Sequence, residues 1–327
     1  MKTIKAVVLT AAFAALTYAG VGTSGGFLLD TCPGARPSAR GNAFVAASDV
    51  YSINYNPGAL AGIENTQIGV MYIKGTLDTG YEYGAFVLPI RKMGVLGLSV
   101  FAFQGGTMDI TDSLGNTSVK SAQNDYLFSC AFGMSNILLK NFDAGVTAKY
   151  LMSSLAETYN AAVFTFDLGG TYKMENLTFG FAAYNLIGGL KYIEVADNLP
   201  VSGRMGTEYL FAIDTEHELT AAVDVAYNNE KTVKVFMGAE YSYVKSFFGR
   251  VGYRLNDGDG GLSLGVGCRG TILEDSVQSI DYAFIPSLNG LMDSHRISVG
   301  ITFGEQIKNT GTGGEKKKFF TPKRIVR

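Results

Sequence analysis

The sequence contains no tryptophan and few charged residues, and both shortages limit what the protein can be. Charged residues make up 17% of the 327 positions, and the formal net charge is only −2. A nearly neutral chain lacks the basic surface of a nucleic-acid-binding protein, so we expect no nucleic acid among its partners. Without tryptophan, any aromatic belt at a membrane surface must be built from the 18 tyrosines and 21 phenylalanines.

Cysteine is also scarce, and its pattern excludes two common structural devices. Cys32, Cys130 and Cys268 are widely spaced, odd in number and without a CxxC pair. They favour neither a disulfide framework nor a zinc site. We expect lone thiols in apolar surroundings, with a bridge such as Cys32–Cys130 as the alternative.

Long hydrophobic runs are missing too. No window holds about 18 uninterrupted apolar residues, which excludes a helical inner-membrane protein. Residues 1–19 instead predict a secretory signal peptide, because Lys2 and Lys5 precede a short apolar run from Ala6 to Leu16. A lipoprotein would need a cysteine directly after that run, and Cys32 lies well beyond it. The protein is therefore predicted to be exported, to either the periplasm or the outer membrane.

The rest of the chain consists mainly of segments in which apolar and polar residues alternate. In Ser294–Phe303, for example, Ile297 and Val299 share one face and Arg296 lies on the other. A soluble sandwich has the same period, but most of these segments have roughly the nine to eleven residues of a tilted transmembrane strand. We predict about fourteen strands: Gln67–Lys74, Tyr81–Pro89, Gly94–Phe103, Asp125–Met134, Phe142–Leu151, Val163–Lys173, Leu177–Tyr184, Val201–Leu210, Glu218–Tyr227, Thr232–Tyr243, Phe248–Leu255, Leu262–Thr271, Gln278–Ile285 and His295–Phe303.

Loop lengths favour the outer membrane over a soluble sandwich. An even strand count returns the chain to its starting side, so a periplasmic amino end makes the odd-numbered connections extracellular. These include the long stretches Gln104–Asn124, Asn185–Pro200 and Pro286–Ser294, whereas inner turns such as Arg91–Met93 are short. Long outer loops and short inner turns are typical of outer-membrane barrels. We predict an all-β transmembrane antiparallel β-barrel of about 14 strands over residues 67–304.

The stretch from Gly34 to Ala61 is different, because it is rich in glycine and alanine and has no sustained period. Irregular backbone cannot satisfy its own hydrogen bonds and needs surrounding structure. We predict that residues 20–66 form an amino-terminal plug inside the barrel. Its motif positions are Gly34, Asn42, Asn56, Pro57 and Gly58.

Several stretches also resemble a known family. Residues 34–36, 41–46 and 56–61 resemble the amino-terminal region of the PorV/PorQ family, whose usual form has Asn-Pro-Ala where this chain has Asn-Pro-Gly-Ala. Residues 186–209 are similar to the family's middle, and residues 295–301 to its last strand. The resemblance implies a FadL-like outer-membrane barrel with an amino-terminal plug. It leaves open inward transport of hydrophobic molecules and service to type IX secretion, in which the PorV branch handles cargo at the cell surface.

Charged residues of both signs are predicted on the inward faces of the strands, where they hold a plug or line a pore. The set is Asp143, Lys149, Asp167, Arg204, Glu208, Asp224, Lys234, Glu240, Arg250, Arg254, Arg269, Asp281 and Arg296. For a fatty-acid-like ligand, aromatic and apolar plug residues offer contacts and arginines offer a partner for the head group. The candidate ligand-binding residues are Arg36, Phe44, Val45, Tyr51, Tyr55, Arg250 and Arg254. The alternative is that these aromatics only pack the plug in place.

Enzymatic motifs are weak throughout the sequence. Residues 22–26 match G-x-S-x-G, but no strand precedes them, so the nucleophile-elbow context is missing. His217 and His295 are predicted at opposite ends of the barrel and cannot share a metal. Residues 256–260 read as a hairpin turn, with a surface Ca²⁺ site as the alternative. We expect no enzymatic activity and no bound metal.

Three functions remain open for an outer-membrane barrel of this kind. The first is uptake of a fatty-acid-like molecule past the plug, which predicts an apolar pocket beside it. The second is a secretion accessory that binds secreted cargo or another secretion component through its outer loops, and the third is a structural or adhesive surface protein. Outer-membrane lipid is the expected surrounding in each case. Residues 305–327 carry seven Lys/Arg against Glu305 and Glu315, so we expect a disordered periplasmic tail or a tether to an anionic partner.

Overall fold

The computed structural model describes residues 26–75, 78–257, 261–287 and 293–304. Within these residues, fourteen strands close into an antiparallel barrel in which the first strand pairs with the last, from Gln67↔Thr302 to Lys74↔His295. The predicted signal peptide and basic tail lie outside the described residues, as do residues 22–25 of the G-x-S-x-G match and residues 258–260 of the predicted hairpin turn.

The strands are numbered in chain order. They are β1 (Gln67–Lys74), β2 (Gly80–Ile90), β3 (Gly94–Gln104), β4 (Thr107–Thr111), β5 (Thr117–Ser121), β6 (Gln123–Met134), β7 (Phe142–Leu155), β8 (Tyr159–Met174), β9 (Leu177–Tyr184), β10 (Gly189–Lys191), β11 (Ala196–Asn198), β12 (Ser202–Ala212), β13 (His217–Asn228), β14 (Val233–Tyr243), β15 (Phe247–Leu255), β16 (Leu262–Gly270), β17 (Ser276–Ile285) and β18 (Ser294–Phe303).

The fourteen predicted barrel strands are confirmed. The first and seventh, Gln67–Lys74 and Leu177–Tyr184, have the predicted bounds, and β8 begins four residues earlier than predicted, at Tyr159 instead of Val163. Alternation succeeds as a signal because each strand exposes one face to lipid and one to the filled interior.

The long outer loops contain two hairpins that the sequence did not predict. β4 pairs with β5, and β10 pairs with β11. Thr107↔Ser121 continues the register of Val95↔Gly133 in β3 and β6, since both pairs of numbers sum to 228. The first hairpin therefore extends the barrel wall beyond its outer rim.

Helices are few and short in the described residues, and none is long and apolar enough to cross a membrane. They are α1 (Ala35–Ala39), α2 (Ser52–Tyr55) and two 3-10 helices, Phe27–Leu29 and Pro57–Gly62. All lie in residues 26–66, which we call the luminal segment. Its helices contact strands from both sides of the barrel, because α1 touches β15–β18 while the second 3-10 helix touches β3 and β6–β8.

The outward faces of the strands carry the exposed apolar side chains that a lipid-facing wall requires. Val225 on β13 and Leu255 on β15 are exposed, and Val235 on β14 pairs with both. Lys234 has the opposite orientation, since its Nζ lies 2.9 Å from Asp257 and 3.2 Å from Asp30. The predicted inward and outward faces of this strand are therefore confirmed.

Introducing a charge on the outward face is expected to destabilise the inserted barrel. Val235 lies near the outer end of β14, so Val235→Arg should cost about 1–2 kcal/mol, between the midplane and interface values for arginine. The measurement is urea unfolding in lipid vesicles. Val119→Arg is the matched control, because Val119 is 67% exposed on the outer hairpin and should change stability little. Equal losses in the two variants would contradict the assigned facing.

Candidate functional site

The lumen is the first candidate site, and the luminal segment packs closely against its wall. Gly58 lies against Gly170 of β8, Gly41 against Gly252 of β15, and Val45 against Gly180 of β9. In each case a Cβ on the wall glycine, or on Gly58 itself, would collide with backbone atoms. The glycines therefore allow main chain to pack directly on main chain, which no larger residue permits at these positions.

Side chains of the wall also accept the orphan backbone donors of the luminal segment. Asp224 Oδ2 accepts from the backbone N–H groups of Phe44 at 2.8 Å and Val45 at 3.0 Å. Asn56 does the reverse, because its side-chain amide donates to the carbonyls of Val45 and Gly170. These bonds give the irregular backbone of the luminal segment hydrogen-bond partners that it cannot provide for itself.

An ion-pair network ties the segment to β14, and through β14 to β15 and β17. Arg36 donates two hydrogen bonds to the Glu240 carboxylate, from Nε at 3.0 Å and from Nη2 at 2.9 Å. Its Nη1 lies 3.0 Å from the Asp49 carboxylate. Glu240 also accepts from Arg250 Nε at 2.5 Å, and Arg250 pairs with Asp281 at 2.7 Å. Two arginines and three carboxylates are thus joined across α1, β14, β15 and β17.

This network changes the interpretation of the predicted ligand arginines. Arg36 and Arg250 already have carboxylate partners within the protein, and Arg254 pairs with Asp257 at 3.1 Å. A guanidinium has five N–H donors, so an ion pair does not use all of them, but the paired carboxylate already neutralises its charge. Arg36 therefore joins the luminal segment to the wall, whereas the ion pairs of Arg250 and Arg254 lie within the wall and the connection after β15. A ligand-binding role for the three residues stays a prediction.

The structure places the four predicted apolar ligand-contact residues in different surroundings. Phe44 and Val45 are buried against the wall, which fits the alternative of packing. Tyr51 lines a polar pocket of about 420 Å³ with Arg36, at the inner end of the barrel. Tyr55 lines a different cavity, of about 60 Å³, with Tyr184 and Arg204. The four residues therefore form no single pocket.

Neither of these cavities is the apolar pocket that the sequence predicts beside the plug. The cavity at Tyr55 has a polar lining that includes Lys149 and Asn42, and its volume is far below the ~300 Å³ of small ligand pockets. An apolar hollow of about 670 Å³ does exist, but its lining includes the outward side chains of Val70, Leu98 and Phe128. It therefore lies on the lipid-facing side of the wall.

Sequence reasoning missed some of the residues that hold the segment. Arg40 is fully buried and pairs with Glu208 of β12, while its guanidinium lies 5.3 Å from the Phe44 ring centroid. Asp30 and Asp257 pair with Lys234 at the outer end of the barrel. Burial alone would raise the pKa of the Asp257 carboxyl, but Lys234, Arg254 and Arg204 together outweigh it and the pKa lies below its ordinary value. The one sequence signal that could have identified Arg40 is its position four residues after Arg36.

The outer rim is the second candidate site. The two hairpins beyond the rim expose large apolar side chains, including Leu114 at 85% and Val195 at 80%. The first hairpin is held against its neighbour, because Ser121 N–H donates to the Glu157 carboxylate at 2.8 Å. These side chains make the outer rim a candidate binding surface.

The thiols and histidines carry no site in the described residues. Cys32, Cys130 and Cys268 are all free, so the alternative of a Cys32–Cys130 bridge is wrong. His217 contacts the Tyr241 hydroxyl, and His295 contacts the Tyr282 hydroxyl. The two histidines lie at opposite ends of the barrel. Within the part of the chain that the structure describes, no cluster of His, Cys, Asp or Glu is arranged for a metal.

A family model matches residues 85–319, and its description is the type IX secretion system membrane protein PorP/SprF. The PorV/PorQ family that the sequence resembles is not the family whose model matches, although the resemblance and the match both concern type IX secretion. No curated protein sequence matches the chain. The barrel fold and the family both point to the outer membrane.

Solved structures show the fold by comparison. The toluene transporter TbuX of Ralstonia pickettii is 13% identical with a TM-score of 0.59, over 85% of this chain and 99% of that one. The toluene transporter TodX of Pseudomonas putida is 12% identical with a TM-score of 0.58, over 84% and 98% of the two chains. At this identity the similarity shows the barrel fold alone and leaves function to the site.

Proposed function

The chain belongs to the type IX secretion system membrane protein PorP/SprF family, and on this premise we propose that it is a non-enzymatic outer-membrane scaffold with a closed lumen that holds a secreted protein at the cell surface. The observation that carries the proposal is the occupied lumen. Residues 26–66 contact both sides of the wall and are fixed by Glu240 and Asp224, while the cavity beside Tyr55 measures only about 60 Å³.

The outer hairpins supply the binding surface in this proposal. Leu114, Val119, Ile193 and Val195 are all more than 60% exposed, and they lie on connections that face away from the periplasm. Burying such side chains against a partner contributes ~25 cal/mol per Å² of apolar surface. A secreted protein arriving at the outer face is a partner of suitable chemistry and location.

A surface-display measurement in the host bacterium tests this function. Removing the chain should reduce the amount of secreted protein retained on intact cells, measured by protease shaving and quantitative mass spectrometry. Replacing Leu114, Val119, Ile193 and Val195 with serine should cause most of the same loss, because the apolar contact area disappears. The control replaces Leu138 and Ile272, which are 89% and 82% exposed in periplasmic turns. Unchanged surface protein after removal of the whole chain would refute the proposal.

Uptake of a hydrophobic molecule is the second candidate, and the FadL-like fold favours it. Two proteins of similar fold are described as toluene transporters. The arrangement of the lumen argues against the same role here, because an entering apolar molecule would meet paired charges at Arg36 and Arg250. Mass spectrometry of the detergent-purified protein separates the candidates. An acyl chain or aromatic hydrocarbon bound at one per barrel would put uptake first.

A further inference from the structure

The hairpin of β4 and β5 has a free strand edge beyond the barrel rim. Within the described residues these two strands form a separate sheet of their own. Their pair Thr107↔Ser121 continues the register of β3 and β6, so β4 lies on the side of β2 and β5 on the side of β7. The pairing of β2 with β3 ends at Gly80↔Gln104, before β4 begins. No barrel strand therefore covers the second edge of β4.

Hydrogen bonds at the two ends of the hairpin show which backbone groups lie on that edge. Asp112 N–H donates to the Asn116 carbonyl, and Ala122 N–H donates to the Gly106 carbonyl. In an antiparallel pair, every second residue exchanges hydrogen bonds with its partner, and the others direct their N–H and C=O groups away from it. The even-numbered residues of β4 therefore bond to β5, and the odd-numbered ones point outward. The outward-pointing residues are Thr107, Asp109 and Thr111.

The opposite edge of the hairpin is already attached to the protein. Ser121 N–H, which points away from β4, donates to the Glu157 carboxylate at 2.8 Å. Lys120 Nζ donates to the Thr158 hydroxyl at 3.2 Å. β5 is thus held by the connection between β7 and β8, whereas no hydrogen bond from another described residue reaches the outward backbone groups of β4.

The tip of the hairpin is fixed as well. Asp112 Oδ1 accepts from the backbone N–H groups of Leu114 at 2.8 Å and Asn116 at 2.9 Å. The Asn116 side-chain amide donates to Asp112 Oδ2 at 3.0 Å. A strand that is already ordered loses less conformational freedom when a partner binds to it. The free edge of β4 is therefore a prearranged surface for strand pairing.

We propose that the free edge of β4 binds an extended segment of the secreted protein, which joins the hairpin as a third strand. The unpaired N–H and C=O groups of an exposed edge are a template for a further strand, and main-chain hydrogen bonds of this kind supply affinity in many peptide complexes. This inference rests on the proposed function and names the contact that holds the partner.

The side chains of β4 define the chemistry of the bound segment. Met108 and Ile110 share one face of the strand, and Asp109 lies on the other. Asp109 is exposed, and its neighbour across the hairpin is the uncharged Val119. Opposite charges on neighbouring strands attract, and apolar side chains pack on each other. The segment that fits best therefore has a lysine or arginine beside Asp109 and β-branched apolar residues beside Met108 and Ile110.

Proline substitutions on the two edges of the hairpin test the proposal in the host bacterium. Asp109→Pro removes an outward N–H and leaves the hydrogen bonds between β4 and β5 in place. We expect the secreted protein retained on intact cells, measured by protease shaving and quantitative mass spectrometry, to fall at least about fivefold, the factor that one lost backbone hydrogen bond produces. Thr117→Pro is the matched control, because Thr117 directs its N–H to the β5 edge, and it should leave retention unchanged.

Side-chain variants at the same position separate the backbone contact from the charge. Asp109→Ala keeps the N–H, so it should reduce retention less than Asp109→Pro does. Asp109→Lys should reduce retention more than Asp109→Ala, because attraction to a basic partner becomes repulsion. Retention with Asp109→Lys equal to or above that with Asp109→Ala would overturn the basic residue assigned to the segment.

Each variant is first checked for a folded barrel by its shifted gel migration without heating, and for an intact hairpin by limited proteolysis. If Asp109→Pro fails these checks, Thr107→Pro takes its place, since Thr107 also directs its N–H outward. Equal retention in the β4 proline variant and Thr117→Pro would overturn strand addition at this edge. That result leaves the proposed function standing, whereas unchanged retention after removal of the whole chain would refute the function itself, so the two failures are distinguishable.

Discussion

Replacing Glu240 with alanine is expected to destabilise the folded barrel by about 3–5 kcal/mol. Glu240 is 5% exposed and accepts hydrogen bonds from both Arg36 and Arg250. Its removal leaves two guanidinium groups in the interior with fewer carboxylates than before, and breaking a buried ion pair by removing one partner costs this amount. The loss should appear as a lower urea midpoint in lipid vesicles with an unchanged slope.

A rim ion pair provides the matched control for Glu240. Glu218 on β13 lies 3.1 Å from Lys245, but these side chains are 25% and 67% exposed. Glu218→Ala should therefore cost less than about 1 kcal/mol. Similar losses for Glu240→Ala and Glu218→Ala would mean that the luminal network contributes no more than a surface pair, which would contradict the role assigned to it.

Gly252→Val is expected to displace the luminal segment from the wall. A Cβ at Gly252 would collide with the backbone nitrogen of Gly41 and the backbone carbon of Arg40, neither of which can move by changing a rotamer. Overpacking of this kind costs about 3 kcal/mol at its upper end. We expect lower stability in urea unfolding and faster proteolysis within the segment.

Gly249 on the same strand supplies the control for this clash. A Cβ added at Gly249 meets nothing within 4 Å, and the residue lies on the exposed face. Gly249→Val should therefore leave both the unfolding midpoint and the proteolysis rate close to those of the unaltered chain. A Gly252→Val protein that behaves like Gly249→Val would show that the segment is not held against β15.

The wall of the barrel could be predicted from the sequence because its physics is local. Each strand alternates between lipid and interior, and Ser294–Phe303 shows this with Ile297 and Val299 against Arg296. The inward positions of charges such as Asp224 and Arg250 follow from the same period. The β4–β5 hairpin was missed because Thr107–Thr111 is exposed on nearly every residue and so carries no alternating signal.

The candidate site could be predicted only in part because its partners are distant in the chain. Arg36 and Glu240 are 204 residues apart, and nothing local indicates that they form a pair. The sequence therefore identified Arg36, Arg250 and Arg254 as charged interior residues but assigned them to a ligand. Burial of Arg204 beside a small cavity likewise depends on where Asn42 and Phe236 meet in three dimensions.

Ionic conductance of the full chain in planar lipid bilayers tests the closed lumen most directly. The account predicts that the unaltered protein inserts without opening a steady channel, because residues 26–66 fill the barrel and are fixed on both sides. Gly252→Val should open channels of barrel size at the same protein concentration, while Gly249→Val should not. A steady, long-lived conductance from the unaltered chain would contradict a closed scaffold.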